Sequence, residues 1–164
     1  MRRVVSNSSP LIYLAKIGCI GLLKKQFGHI TVPPAVWKEV VEEGQKWEDA
    51  LIVAEAKWIK VHPISPSPLL TNLRSFLDEG ESEAIALAIE LHATAILLDE
   101  HEARKTAQFH GLSMIGVIGV LLAAKMDGDI SSLRSCLDQL EQAGFRISGH
   151  LREQALELAS EKDN

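Results

Sequence analysis

The sequence lacks the features that identify several specialised classes of protein. It has only two cysteines, Cys19 and Cys136, which lie far apart in no CxxC motif, and this excludes a disulfide-stapled scaffold. It has no excess of basic residues either, because 17 Lys and Arg against 22 Asp and Glu give a net charge of -5. That balance excludes a polycationic surface that binds nucleic acid, although it still allows a local basic patch.

Long apolar runs are also missing. The longest uncharged apolar stretch, residues 114–124, has about half the length that a membrane helix requires. Near the start of the chain only Val4 and Val5 precede polar residues, so no signal-peptide core is predicted. We therefore expect a cytoplasmic protein that does not engage a membrane.

The sequence does have the composition of a globular protein. Hydrophobic residues make up 46% and charged residues 24% of its 164 residues. A chain of this length buries roughly two thirds of its unfolded surface on folding, so it needs neither disulfides nor a metal for stability. We predict a single domain over residues 1–164, with a core over about 1–128 and a helical extension over about 129–164.

Short β-branched runs alternate with longer helical patterns along the chain. The runs predict five strands, near residues 3–7, 29–32, 58–61, 95–98 and 112–115. The helical patterns start after an N-cap at Ser9, at residue 33 and near residues 47, 81, 102, 117, 132 and 149, with an exposed connection at 63–68. This alternation indicates a mostly parallel sheet with helices on both faces, and ligands bind such sheets beyond the carboxyl ends of the strands.

Two polar residues come directly after predicted strands. Asn7 follows the first strand, and Asp99 follows the fourth, whose apolar residues indicate burial on both faces. Asp99 therefore lies either at the mouth of the sheet as a site residue or at the N-cap of the following helix. The sequence favours neither interpretation.

Two glutamates lie beside the apolar faces of predicted helices. Glu39 flanks the stripe of Val36 and Val40, and it is either an interfacial glutamate or a site residue. Glu81 shares a face with Ile85, where it either complements the helix dipole or needs a cation or a donor. Clustered carboxylates repel one another, and a divalent Mg²⁺ or Mn²⁺ ion would relieve that repulsion and activate water for attack on a phosphate.

Motifs of other enzyme classes are absent. The sequence contains no GxxxxGK[ST], GxSxG or HExxH motif. Gly116 and Gly119 lack the third glycine of a dinucleotide fingerprint, so we interpret them as glycines of close helix packing. Arg104, Lys105 and Lys125 are candidate contacts for phosphate at the rim of an acidic pocket, or else solvated surface charges.

Four motifs that contain the acids occur in order along the chain. They are VVSNSSPLI at residues 4–12, VPPAVWKEV at 32–40, GESEAIALA at 80–88 and LLDE at 97–100. With these motifs, and with AGFRIS at 143–148, the sequence resembles PIN-domain proteins, more closely a bacterial and archaeal PIN-like group of unknown function. The resemblance implies a three-layer α/β/α fold with a parallel sheet of about five strands in the order 3-2-1-4-5, followed by C-terminal helices.

The resemblance also implies an acidic site. The catalytic residues correspond to Asn7, Glu39, Glu81 and Asp99. The metal ligands correspond to Glu39 and Asp99, with either Glu81 or Glu83 as the third acid. The substrate contacts correspond to Ser8, Ser9 and Arg104. Asn7 stands where active members usually have aspartate. An amide oxygen can ligate Mg²⁺, but it brings no negative charge and accepts no proton, so metal affinity is expected to fall.

Three hypotheses follow from the acids and the resemblance. The first is a ribonuclease that cleaves single-stranded RNA with Mg²⁺ or Mn²⁺, in the form of a toxin-like module with a small antitoxin protein as partner. The second is a catalytically weak or inactive PIN-like module that binds nucleic acid or protein, and the third is an α/β protein whose acids are caps and salt bridges. Because PIN-like proteins often dimerise and the helices after residue 132 have apolar faces, we also expect a homodimer.

Overall fold

The computed structural model describes residues 3–44 and 48–161. Among these residues, five strands form one parallel sheet in the order β3-β2-β1-β4-β5. The strands are β1 Val4–Ser6, β2 Ile30–Val32, β3 Ile59–Val61, β4 Ala95–Leu97 and β5 Met114–Ile115. The predicted α/β class, the parallel sheet and the strand order are confirmed.

Helices connect and follow the strands. They are α1 Ser8–Lys16, α2 Gly21–Phe27, α3 Pro34–Trp37, a π-helical segment Lys38–Glu42, α4 Glu48–Glu55, α5 Pro68–Arg74, α6 Glu79–Glu90, α7 His101–Phe109, α8 Val117–Met126, α9 Leu133–Gln142 and α10 Gly149–Leu158. The predicted helix start at Trp47 lies outside the described residues. Helix α5 is not predicted from the sequence, and it begins at the end of the predicted connection because Ser67 caps it by accepting a hydrogen bond from the Leu70 amide.

The first helix begins earlier than the sequence predicts. The amide of Asn7 still donates to the carbonyl of Leu97, and the chain then turns directly into α1 at Ser8. Asn7 therefore occupies the N-cap position that the sequence assigns to Ser9. Pro10 is tolerated at the third helical position because amides of the first turn have no intrahelical acceptor.

The core lies on both faces of the two central strands. Val4, Val5, Ile96 and Leu97 are essentially inaccessible to solvent, as an all-apolar strand covered on two sides requires. Helix α6 packs against β1 and β4, while α9 and α10 pack against α8. The division of the chain near residue 128 stays a prediction. Within the described residues, no helix combines the length and apolar character needed to cross a membrane.

Candidate functional site

The carboxyl edge of the sheet is where several helices begin. Strand β1 leads into α1, β4 leads through Asp99 and Glu100 into α7, and β5 leads through Gly116 into α8. The positive ends of these helix dipoles therefore lie at the same edge as the acidic residues that follow the strands. This arrangement offsets part of the repulsion between clustered carboxylates.

Asn7 and Glu100 are joined across this edge. Asn7 is only 4% exposed, and its Nδ2 donates to Glu100 Oε2 over 3.1 Å. The hydroxyl of Ser9 donates to the other carboxylate oxygen of Glu100. Glu100 occupies the N-cap position of α7 without capping it through its side chain, since that side chain points to Asn7 and Ser9. Sequence reasoning missed Glu100 as a site residue, although its place beside Asp99 after a buried strand was the available signal.

Glu39 reaches the same edge from the π-helical segment. A π-helical turn shifts the register of a helix and is frequently found at functional sites. The hydroxyl of Ser8 donates to Glu39 Oε2 over 2.8 Å. A methyl group at Gly80 would lie 3.1 Å from Glu39 Oε2 and 3.5 Å from both Asn7 Oδ1 and Ser8 Oγ. Gly80, which the sequence analysis did not single out, therefore lets the start of α6 approach these three oxygens closely.

Asp99 contacts the start of a different helix from the one that it could cap according to the sequence. It is not the N-cap of α7; its two oxygens accept from the amide of Val117, 3.2 and 3.4 Å away, at the first position of α8. Arg104 approaches from α7 and donates to the carbonyl of Leu98 over 2.7 Å. A methyl group at Gly116 would lie 2.7 Å from Asp99 Oδ1, so glycine is required there by the Asp99 carboxylate rather than by helix packing.

Glu81 and Glu83 take different positions on α6. Glu81 forms a capping box with Asp78, whose amide donates to the Glu81 carboxylate over 3.2 Å. Glu83 accepts from the amide of Ala35 over 3.0 Å and faces Arg74 at 3.5 Å, so it holds the start of α3. Both are buried, with 8% and 6% exposure. The structure brings Glu81 toward Glu100 and engages Glu83 with α3 and α5.

The carboxylates behave as one electrostatic unit. Burial raises the pKa of Glu81 to about 7, with added repulsion from Asp78 and Glu100. Burial also raises the pKa of Asp99 to about 6. The charge of Glu100 raises this pKa further, whereas the hydrogen bond from the Val117 amide and the charge of Arg104 lower it. Glu39 is exposed as a whole side chain, but its carboxylate is partly desolvated, which raises its pKa, and the charge of Glu100 contributes again. Glu100 thus adds to the pKa shifts of Glu39, Glu81 and Asp99, but not to that of Glu83.

Oxygen donors surround this edge, and their chemistry fits a hard divalent cation such as Mg²⁺ or Mn²⁺. Gly80 supplies the space into which the oxygens of Asn7, Ser8 and Glu39 converge. In the described residues, however, no three His, Cys, Asp or Glu side chains are already arranged around one point to hold a metal ion. Metal binding would therefore require the carboxylates to exchange their hydrogen bonds to protein donors for metal contacts.

The predicted rim cations are placed unequally. Arg104 is half-buried and lies against Asp99 and Gly116. Lys105 is exposed on α7. The Lys125 ammonium lies near the far end of α8, where it donates to the carbonyl of Ser131 and pairs with Glu161 at 3.4 Å. Of the three cations, only Arg104 contacts the site.

The raised carboxyl pKa values predict an unusual pH dependence. Because the pKa of Glu81 in the folded state is about 7 against 4.5 ordinarily, the folded protein binds more protons than the unfolded chain between these values. We expect the metal-free protein to unfold at a temperature a few degrees higher at pH 5.5 than at pH 7.5. Glu81→Gln, which keeps the capping box, should reduce this difference, whereas Glu157→Gln on the exposed face of α10 should not. A melting temperature that falls on acidification to pH 5.5 would contradict the prediction.

Comparisons with known proteins agree with this fold. A family model for the PIN domain matches residues 3–161. The structure is similar to that of a PilT N-terminus domain protein, SSO1118, from the hyperthermophilic archaeon Sulfolobus solfataricus P2, with a TM-score of 0.55 and 21% identity. The match covers 74% of this chain and 92% of that one, and it shows a shared fold. No curated protein matches the sequence.

Proposed function

Since the chain belongs to the PIN domain family, whose members are usually nucleases that use divalent metal ions, we propose that it is a metal-dependent ribonuclease for single-stranded RNA. The observation that carries the proposal is the gathering of carboxylates at the carboxyl edge of the sheet, where Ser8 donates to Glu39 and Asn7 donates to Glu100. Glu39, Glu81 and Asp99 come from three separate elements, and burial is the main cause that raises the pKa of each, with a smaller addition from the charge of Glu100.

The residues have distinct proposed roles. Glu39, Glu81 and Asp99 would hold a Mg²⁺ or Mn²⁺ ion, which when bound activates water and stabilises charge on the phosphate. Asn7 would orient water or ligate weakly through Oδ1, while its Nδ2 and Ser9 keep Glu100 in place. Ser8 holds the Glu39 carboxylate. Arg104 would contact a phosphate of the substrate.

A nuclease assay tests the proposal. End-labelled single-stranded RNA is incubated with the full chain in Mn²⁺, Mg²⁺ or EDTA, and we expect cleavage only with metal. Glu81→Gln should abolish cleavage, and Glu83→Gln should retain it, because Glu83 is engaged with Ala35 and Arg74. Equal loss in both variants, with both folded by circular dichroism, would contradict the assignment of Glu81 as the third acid.

A binding module without catalysis is the second candidate, and two observations favour it. The Asn7 amide gives Glu100 a neutral donor where a cation would otherwise be needed. Among the described residues, every buried side-chain nitrogen and oxygen has a hydrogen-bond partner, so the metal-free cluster is already satisfied. Absence of cleavage in either metal, together with absence of Mn²⁺ binding by calorimetry, would exclude the nuclease and leave a protein without catalysis.

The biological setting is also a proposal. We infer a toxin-like module in the cytoplasm, with a small antitoxin protein as partner and a homodimer as the assembly. Exposed apolar side chains, such as Leu51, Phe76 and Phe109, offer surface for association.

A toxin should arrest growth when expressed alone, and its Asp99→Asn variant should not. Light scattering at micromolar concentration should give about twice the mass of one chain.

A further inference from the structure

A groove of about 1140 Å³ lies between α8 and α10 and begins at the acidic site. Its near end contains Asp99, Arg104 and Gly116, and its far end contains Asp127 and the ion pair of Asp129 with Lys25 of α2. We call it the α8–α10 groove. Because Asp99 belongs to both the groove and the acidic cluster, a strand that reaches the acids can continue directly into the groove.

The floor of the α8–α10 groove is an apolar helix face that the described residues cover only in part. Helix α8 has the sequence VIGVLLAAKM, and a helix that is apolar on all sides is normally buried on all sides. Its core face is buried, but Ile118 and Leu122 are only half-buried and Gly119 between them is exposed. This face therefore has the character of a surface that is covered when a ligand binds.

Gly119 has no explanation within the fold. Glycine inside a helix is destabilising relative to alanine. A methyl group at Gly119 would meet only Ile115 Cγ2, at the ordinary contact distance of 3.5 Å, so packing does not require glycine here. The interpretation of Gly119 as a helix-packing glycine is thus wrong. A glycine at such a position fits a ligand that lies flat against the helix backbone.

The charges and aromatic groups of the groove favour nucleic acid. Arg104 lies at the near end, and the exposed Arg146 on the rim makes no hydrogen bond or ion pair with the described residues. Phe145, beside it, is half-buried and held by an edge-to-face contact with Tyr13 at 5.1 Å. Cations beside apolar and aromatic surface are the combination that binds phosphates and bases of a single strand. At the far end, Asp127 repels phosphate.

We propose that the near half of the α8–α10 groove binds the single-stranded RNA strand that extends from the acidic site, with bases against Gly119 and phosphates at Arg104 and Arg146. This inference rests on the proposed function and adds the course of the substrate. The charge of Asp127, which makes no ion pair with the described residues, limits the bound segment to a few nucleotides, whereas Asp129 is paired with Lys25. RNA is favoured over a protein segment because the groove opens into the site where phosphate chemistry is proposed.

The test measures binding without cleavage. Fluorescence anisotropy of a labelled single-stranded RNA is recorded with the full chain in EDTA over a series of salt concentrations. Arg146→Ala should weaken binding several-fold and reduce the slope of log affinity against log salt by about 0.7, the value for one phosphate contact. Gly119→Ala should weaken binding about tenfold, because the added methyl separates a base from the floor. Gly119→Ala should also raise the melting temperature, since alanine favours the helix.

Two matched controls accompany these variants. Lys60→Ala removes an exposed cation from β3, at the opposite edge of the sheet, and should leave affinity and salt slope unchanged. Gly149→Ala adds a methyl group to the start of α10 in open space and should also leave the affinity unchanged.

The outcomes separate this inference from the proposed function. If the parent cleaves RNA with Mn²⁺ while Arg146→Ala and Gly119→Ala bind RNA as tightly as the parent, the groove proposal is overturned and the nuclease stands. In that case a protein segment becomes the candidate occupant of the groove. If the parent neither binds nor cleaves RNA, the proposed function itself is overturned.

Discussion

Asp99→Asn is expected to reduce metal-dependent RNA cleavage at least about 100-fold while leaving the fold intact, a loss of the size seen when one group that stabilises the transition state is removed. The asparagine Oδ1 can still accept the Val117 amide, which Asp99 accepts at 3.2 Å. The lost carboxylate charge, however, removes one of the three proposed metal ligands.

The same substitution should not destabilise the metal-free protein. Burial is the main cause that raises the pKa of Asp99 to about 6, so the charged form is disfavoured in the fold. A neutral side chain of the same shape avoids that desolvation. We therefore expect a melting temperature at pH 7.5 that equals or exceeds that of the parent. Loss of activity together with a rise in stability is the pattern of a residue kept for function.

Asp138→Asn provides the matched control, because Asp138 lies on α9 and pairs with Arg152 at the surface. It should retain full cleavage activity. Retained cleavage in Asp99→Asn would place the metal site elsewhere and would contradict the assignment of Asp99.

Asn7→Asp is expected to lower the free energy of unfolding by about 3 kcal/mol in metal-free buffer at pH 7.5. A hydrogen bond to a charged group contributes about 1.5–3 kcal/mol, and the carboxylate that this substitution introduces could not donate one to Glu100. In its place two carboxylates would face each other, and unit charges about 4 Å apart at an effective dielectric near 20 interact by about 4 kcal/mol. Sharing of a proton between the two groups relieves part of this repulsion, which brings the expected loss to about 3 kcal/mol at pH 7.5 and makes it smaller still at pH 5.5.

Mn²⁺ should offset part of the destabilisation that Asn7→Asp causes. The added charge is expected to tighten Mn²⁺ binding about tenfold, which corresponds to about 1.4 kcal/mol, and to restore part of the lost stability. Denaturant unfolding with and without Mn²⁺ measures the stability, and calorimetry measures the affinity. Cleavage should appear or rise only in the variant with metal.

Asn72→Asp is the control for the chemical change itself, since Asn72 is exposed on α5. It should alter neither stability nor Mn²⁺ affinity by a measurable amount. Unchanged stability and unchanged affinity in Asn7→Asp would mean that Asn7 lies far from the other acids, and the proposed site would be wrong.

The sequence alone was sufficient for the class of fold and for the sheet edge at which the residues after the strands lie. The apolar run at 95–98 indicates a strand covered on both faces, and Ile96 and Leu97 are indeed fully buried. Alternation of strands and helices predicts a parallel sheet, so the residues after the strands are expected at one edge. The strand order came from the resemblance of four motifs, because periodicity does not specify which strands are neighbours.

The sequence pattern was less reliable for residues that could serve either as a helix cap or as a site residue. Asp99 could cap the helix that follows it, yet its carboxylate accepts from Val117 at the start of α8 instead. Glu81 and Glu83 are two residues apart on one helix, and the sequence could not choose between them. The structure distinguishes them by their contacts, since Glu83 accepts from the Ala35 amide and faces Arg74, whereas Glu81 closes the capping box with Asp78.

Only the tertiary structure decided which side chains meet at the site. Asn7 and Glu100 are 93 residues apart, and their hydrogen bond exists because β1 and β4 pair in parallel and end side by side. The sequence therefore determined which residues could carry chemistry, through residue type and position after a strand. Contact with Glu100 and the close approach at Gly80 depend on the packing of distant elements, for which neither periodicity nor composition carries a signal.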